Sequence, residues 1–235
     1  MIDVGLLASI AVVLIVPSVF VQPWPKAALA PGLIDVAGGA LLAGIAIGRL
    51  TAVAIDDPRS LTSLSDLLII RSGVEFWAGA LAGLAWIGFH ARRDNVAPTA
   101  RLAAITTPAL VAWASYEATC VLRDGCPGPV SRFGLRPEGL VQTMLPIGLM
   151  IAAAAVGAAA VLRWFHRRGL PDSQTFTLAL LAVATIRSVA SIWLPHIGSG
   201  LTRQHQTSIA VAVVALITFV VLRMRGQRHS RLVSS

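Results

Sequence analysis

Apolar residues gather in seven runs, each near 20 residues long, at about 4–22, 33–54, 67–91, 99–121, 139–164, 175–194 and 205–224. A helix rises ~1.5 Å per residue, so each run can cross the ~30 Å hydrocarbon core of a bilayer. In lipid, every backbone N–H and C=O must be satisfied within the segment, and the runs are too continuous to be the alternating strands of a barrel. The pattern predicts an all-α polytopic membrane protein. We expect a bundle of about seven transmembrane helices forming a single transmembrane domain over 1–235, with 225–235 as a basic cytoplasmic tail.

Composition fits that reading, with 56% hydrophobic and 13% charged residues, against ~25% charged in soluble domains. The first run follows Met1-Ile2-Asp3-Val4. This start lacks the positive leader of a secretory signal, so a retained first helix is expected. The net charge of +8 is spread in short clusters between apolar runs, with no basic face carrying interleaved aromatics. Nucleic acid is therefore not an expected partner. The only cysteines, Cys120 and Cys126, form neither a disulfide framework nor a metal site, and no metal or cofactor is expected. A bridge between these two stays open. One belongs to a helix end and the other to a turn, near an outward face.

Lys and Arg mark cytoplasmic ends. The clusters Arg92, Arg93, Arg101, then Arg163, Arg167, Arg168, then Arg223, Arg225, Arg228, Arg231 recur at alternate ends of the runs. With seven spans, they and Lys26 fall inside, while the N-terminus and the loops near 56–66, 122–138 and 195–204 fall outside. Asp3, Asp56, Asp57 and Asp66 then lie outside as well. The stretch Arg123-Asp124-Gly125-Cys126-Pro127-Gly128-Pro129 reads as a turn-rich outer loop. Gly44-x-x-x-Gly48, Gly79-x-x-x-Gly83 and the small residues Ala152 to Ala155 are expected to let helices approach closely.

Ionisable residues inside spans are costly and tend to face a partner or a cavity. Here they are Asp35, Arg49, Arg71, Glu75, Glu117 and Arg187, and all but Asp35 lie toward outer ends. Arg123, Arg132, Arg136 and Arg203 extend the set into the outer loops. Arg71 and Glu75, at i and i+4, read as a local ion pair on one helix. Glu117 is a candidate partner for Arg187 or Arg49. Arg187, within Thr185-Ile186-Arg187-Ser188, lies about two turns inside its run. A guanidinium binds phosphate bidentately, so arginines gathered toward the outer leaflet point to a phospholipid headgroup. His196 and His205 flank the last outer loop and are candidates for proton transfer. His90, His166 and His229, at inner helix ends, read as solvated interfacial residues. No motif of a soluble enzyme is present.

Several segments together are similar to a known family. They are Gly48-Arg49-Leu50, Asp57-Pro58-Arg59, the stretch Ile70-Arg71-Ser72-Gly73-Val74-Glu75-Phe76-Trp77-Ala78-Gly79-Ala80-Leu81-Ala82-Gly83 closing on Arg92-Arg93, Ala118-Thr119-Cys120 with Gly125-Cys126-Pro127-Gly128, Ile186-Arg187-Ser188, and the run from Gly200 to Ser208. Their order over about 33–222 resembles the bacterial prolipoprotein diacylglyceryl transferases. The chain departs from that pattern in places. The family's Gly-Arg-x-Gly signature reads Tyr116-Glu117-Ala118-Thr119, its His-Gly-Gly element reads Trp77-Ala78-Gly79, and the acidic residue after its late Arg-Phe element reads Ser191. Arg187 matches the family's late arginine.

The resemblance implies a transferase of the bacterial plasma membrane that moves diacylglyceryl from phosphatidylglycerol to the lipobox cysteine thiol in the signal peptide of a prolipoprotein. Its expected site carries Arg187, Glu117 and His205 as catalytic residues, with Arg49, Arg71, Glu75, Arg123 and Arg203 binding substrate. The main rival is a catalytically silent membrane protein that binds anionic phospholipid or lipoprotein. A small transporter is a third reading, although Pro108, Pro146 and the Gly-rich turns do not form the matching halves it would need.

Overall fold

The computed structural model describes residues 8, 11–13, 15–16, 33–59, 74–122, 126, 128–136, 141–193 and 202–233, without the side chains of 33–34 and 228–233. The described residues are mostly helical: α1 (Leu33–Asp56), α2 (Phe76–Arg93), α3 (Pro98–Ala118), α4 (Ile147–Arg167), α5 (Asp172–Ala190) and α6 (Arg203–Val233). A 3₁₀ turn, Thr119–Leu122, continues α3, and one short strand, β1 (Val130–Leu135), interrupts the all-α expectation. Residues 8, 11–13, 15 and 16 in the first apolar run are also helical.

Among the described residues, four helices are long and apolar enough to cross a membrane: Asp35–Asp56, Ile147–Arg167, Asp172–Ala190 and Arg203–Gln227. Large apolar side chains such as Leu42, Leu81, Phe89, Val214 and Ile217 stand exposed on their helices. Surfaces of this kind suit lipid and are unfavourable in water. These helices mark a membrane protein. The helix α2 ends in His90, Arg92 and Arg93, and α3 carries Arg101, Thr106, Thr107, Ser115 and Glu117, which makes both less apolar than the other four.

The chain divides into two compact units, Trp24–Leu102 and Met1–Pro23 with Ala103–Ser235. In the first, α1 and α2 run antiparallel along a seam of glycines. Trp86 covers Gly39, Gly83 meets the Ala40 carbonyl, and Gly79 meets Gly44. A Cβ on Gly79 would stand 2.6 Å from the Gly44 carbonyl oxygen, so this close approach requires glycine. The two small-residue motifs therefore serve helix packing. Beyond α2, the turn at Asp94 and Asn95 (φ 54°) leads to Arg101, whose Nη1 donates to Asp94 Oδ2 at 2.5 Å. Arg101 is fully buried.

In the second unit, Leu110 and Val111 of α3 pack with Ala159 and Leu162 of α4 and Ala179 of α5. Ala114 meets Ala152 and Ala155. The alanine face of α4 is thus the core face, where small side chains let the helices close up. A short turn joins α4 to α5. Arg168 N–H donates to the Trp164 and Phe165 carbonyls, Leu170 N–H donates to the Phe165 carbonyl at 3.1 Å, and Arg168 stacks 3.9 Å over the Trp164 ring. Pro171 then precedes Asp172, a pairing of proline and acid that suits a helix start.

Two boundaries differ from the sequence reading. The run 139–164 becomes helical only at Ile147, because Ser131 N–H donates to the Thr143 carbonyl and Leu145 N–H to the Pro129 carbonyl, both at 3.0 Å, which holds 143–145 extended beside β1. Within the run 67–91, Val74 and Glu75 are not helical, Glu75 being extended (φ −74°, ψ 109°), and α2 begins at Phe76. Glu75 is therefore not on one helix with a residue four positions earlier, which corrects the i, i+4 reading of Arg71 and Glu75. Arg71 itself lies outside the described residues, as do Arg123 and His196.

Candidate functional site

The C-terminal ends of α3 and α5 and the N-terminal ends of α4 and α6 come together at one end of the larger unit. At this end a Cβ on Gly148 would stand 3.0 Å from the Glu117 carbonyl oxygen and 2.7 Å from Cys120 Sγ, so the start of α4 lies directly against the end of α3. Ile147 and Ile151 pack on Ala190, with Trp113 and Ile186 beside them. Cys120 and Cys126, both buried, form a disulfide with Cα atoms 5.0 Å apart, which ties the 3₁₀ turn to the loop that follows.

Arg187 occupies the last turn of α5, where a cation is favoured by the helix dipole. It is half-buried, and its Nε is sealed from solvent. Its backbone carbonyl accepts the Ser191 N–H at 2.9 Å, so the helical turn continues to Ser191 and sets both side chains on one face. Ser191 is buried. Its Oγ donates to the Ser188 carbonyl at 2.8 Å and lies 2.6 Å from Nδ1 of His205, in the first turn of α6. Thr202 caps that helix, its Oγ1 accepting the His205 N–H at 3.2 Å. The imidazole is thus fixed through both its backbone and its ring.

Glu117 approaches the same end from α3, and its Oε1 accepts the Trp113 indole N–H at 3.0 Å. Beyond the disulfide, β1 exposes Arg132, Phe133 and Leu135, and Val141 is exposed opposite. No known family model matches the chain, and no curated protein matches it in sequence.

The structure therefore brings Arg187, Glu117 and His205 to one end of one unit, with Arg203 exposed two residues before His205. Arg49 and Glu75 belong to the other unit, and the Glu75 N–H donates to the Gly48 carbonyl at 2.9 Å, which makes these two residues neighbours. Arg49 is buried there. At the opposite end of α4 from the disulfide lie Arg163, His166 and Arg167, with His166 Nδ1 3.9 Å from Asp172. Sequence reasoning missed Ser191, Thr202 and Trp113 as supports. The signal available for Ser191 was its spacing, four residues after Arg187 and on the same helical face.

Proposed function

We propose that the protein is a seven-span transferase of the bacterial plasma membrane, acting at the outer leaflet on an anionic phospholipid and a cysteine thiol. The observation that carries this reading is the link from Arg187 through Ser191 to His205, which puts a phosphate-binding cation and a proton acceptor at the same helix end. The orientation draws support from the Cys120–Cys126 bridge, since disulfides persist on oxidising faces, and from the arginines at the far end of α4.

In the proposed reaction, Arg187 grips the phosphate of phosphatidylglycerol and stabilises the charge that develops on the departing group. The cysteine sulfur forms a C–S bond to the glyceryl carbon. The C–O bond from that carbon to phosphate breaks, its electron pair stays with the phosphate, and glycerol phosphate leaves. The thiol proton passes to Nε2 of His205. Glu117, with one oxygen engaged by Trp113, is a second acceptor at that end.

The test compares wild type, Arg187→Ala, Arg187→Lys and Arg92→Ala in nanodiscs containing phosphatidylglycerol and a lipobox peptide. Wild type and Arg92→Ala are expected to bind the lipid and form the thioether product. Arg187→Ala is expected to lose both, and Arg187→Lys to bind weakly because it lacks the bidentate fork. Equal lipid binding by wild type and Arg187→Ala would sink the headgroup site. Binding that depends on Arg187 with no thioether product would make this a silent lipid-binding protein.

A further inference from the structure

Two short contacts meet at Ser191 Oγ, and a serine hydroxyl has only one proton to give. The Oγ faces the Ser188 carbonyl at 2.8 Å and His205 Nδ1 at 2.6 Å. A carbonyl oxygen can only accept, so the hydroxyl proton goes to Ser188. The lone pairs of Oγ then face Nδ1, and that contact is a hydrogen bond only when Nδ1 carries a proton. If Nδ1 were bare, Ser191 would have to abandon Ser188 and leave its half-buried carbonyl facing an oxygen lone pair. Ser191 is buried, so water does not readily replace the lost bond.

We infer that Ser191 is a positioning residue that holds neutral His205 as the Nδ1–H tautomer, so that Nε2 carries the lone pair and is the atom that accepts a proton. Among the described residues Nε2 makes no hydrogen bond, and the ring is half-buried, so this nitrogen is left for a substrate. The arrangement also fixes direction. Thr202 holds the His205 backbone while Ser191 holds one ring edge, which leaves the imidazole little rotational freedom and aims its opposite edge away from α5. An orienting group behind a histidine base is how a general base acquires a single competent tautomer. This inference deepens the proposed transferase and rests on it for what Nε2 acts upon; the tautomer itself stands on the hydrogen-bond geometry.

The experiment is ¹⁵N NMR of histidine-labelled protein in nanodiscs at about pH 8.5, well above the ordinary imidazole value. His205→Gln assigns the signal among the five histidines. Wild type is expected to show His205 with a protonated Nδ1 and a bare Nε2. Ser191→Ala is expected to lose that preference and populate the Nε2–H form, and Ser191→Thr, which keeps the hydroxyl, to restore it. An Nε2–H tautomer in wild type overturns the inference without recourse to any variant, and so does an unchanged spectrum in Ser191→Ala. In the thiol-transfer assay, Ser191→Ala is expected to lower turnover tenfold or more at unchanged lipid binding, with rescue by Ser191→Thr; turnover unaffected by Ser191→Ala overturns the positioning role. The Nδ1–H tautomer in a wild type that makes no thioether product would remove the transferase reading while leaving the tautomer assignment standing.

Discussion

The indole N–H of Trp113 reaches Oε1 of Glu117, one turn further along α3, at 3.0 Å. The same indole packs between the Ile147–Ile151–Ala190 cluster and the alanine contacts of α3 with α4, so the carboxyl position is set by the core beneath it. Trp113→Phe keeps most of the packing and removes the donor. It is expected to cost about 1–2 kcal/mol of stability, read as a lower midpoint of unfolding in SDS followed by circular dichroism. Trp113→Ala should cost more, because it also opens a cavity. Equal stability of wild type and Trp113→Phe would show that the bond contributes nothing.

The glycine seam makes a sharper steric statement. Gly79→Ala places a methyl 2.6 Å from the Gly44 carbonyl oxygen, and backbone on the facing helix cannot swing aside as a flexible side chain could. The expected cost is about 1–3 kcal/mol. Gly88→Ala, on the same helix with open space around its Cβ, is the control and should be neutral or slightly stabilising. Matching unfolding midpoints for the two variants would contradict the seam.

Cys120 and Cys126 close a loop with a sequence separation of six. Chain-entropy arithmetic gives a bridge of that span about 2 kcal/mol. Protein purified without reductant is expected to resist alkylation at both cysteines in mass spectrometry until it is reduced, and the double Cys→Ala variant to unfold earlier by that amount. Two alkylatable thiols in the unreduced protein would refute the bridge.

Arg101 is fully buried and meets Asp94 at 2.5 Å, while the Asp94 side chain is one-third exposed. Asp94→Ala leaves the guanidinium buried without its carboxylate, with an expected cost of about 2–3 kcal/mol, below the usual range for fully buried pairs because water reaches Asp94. The double variant Asp94→Ala, Arg101→Leu should recover most of that loss. A double variant no more stable than Asp94→Ala alone would count against charge burial as the cause.

Hydropathy made the long helices legible: the run 33–54 corresponds to Leu33–Asp56, and 175–194 to Asp172–Ala190. It misplaced the start of α4 because Met144 and Leu145 are as apolar as helix residues but pair with β1 and the residue before it, and pairing is invisible to composition. The strand β1 escaped notice for the same reason. Among site residues, Arg187 and Glu117 stood out as charged groups in apolar surroundings, and His205 as a titratable group flanking an outer loop. Ser191 did not, since a serine near a helix end is ordinary until a histidine fourteen residues later is found against it. The disulfide was left open by spacing, because whether two Cα atoms come within reach depends on how the chain turns after the 3₁₀ end of α3.

The tight connection between α4 and α5 bears on how the chain is made. Arg168, Gly169 and Leu170 satisfy their N–H groups on carbonyls of the last turn of α4, and the Thr175 N–H returns to Pro171 at 2.9 Å, so the hairpin is closed by contacts between close neighbours in sequence. Such local closure forms fast and costs little loop entropy. In the proposed multi-span topology, two apolar helices joined this way would leave the insertion machinery as one pair, before α6 has been synthesised. Lesions in this turn would then show first as lower yields of inserted protein during biosynthesis, with the molecules that do insert behaving normally.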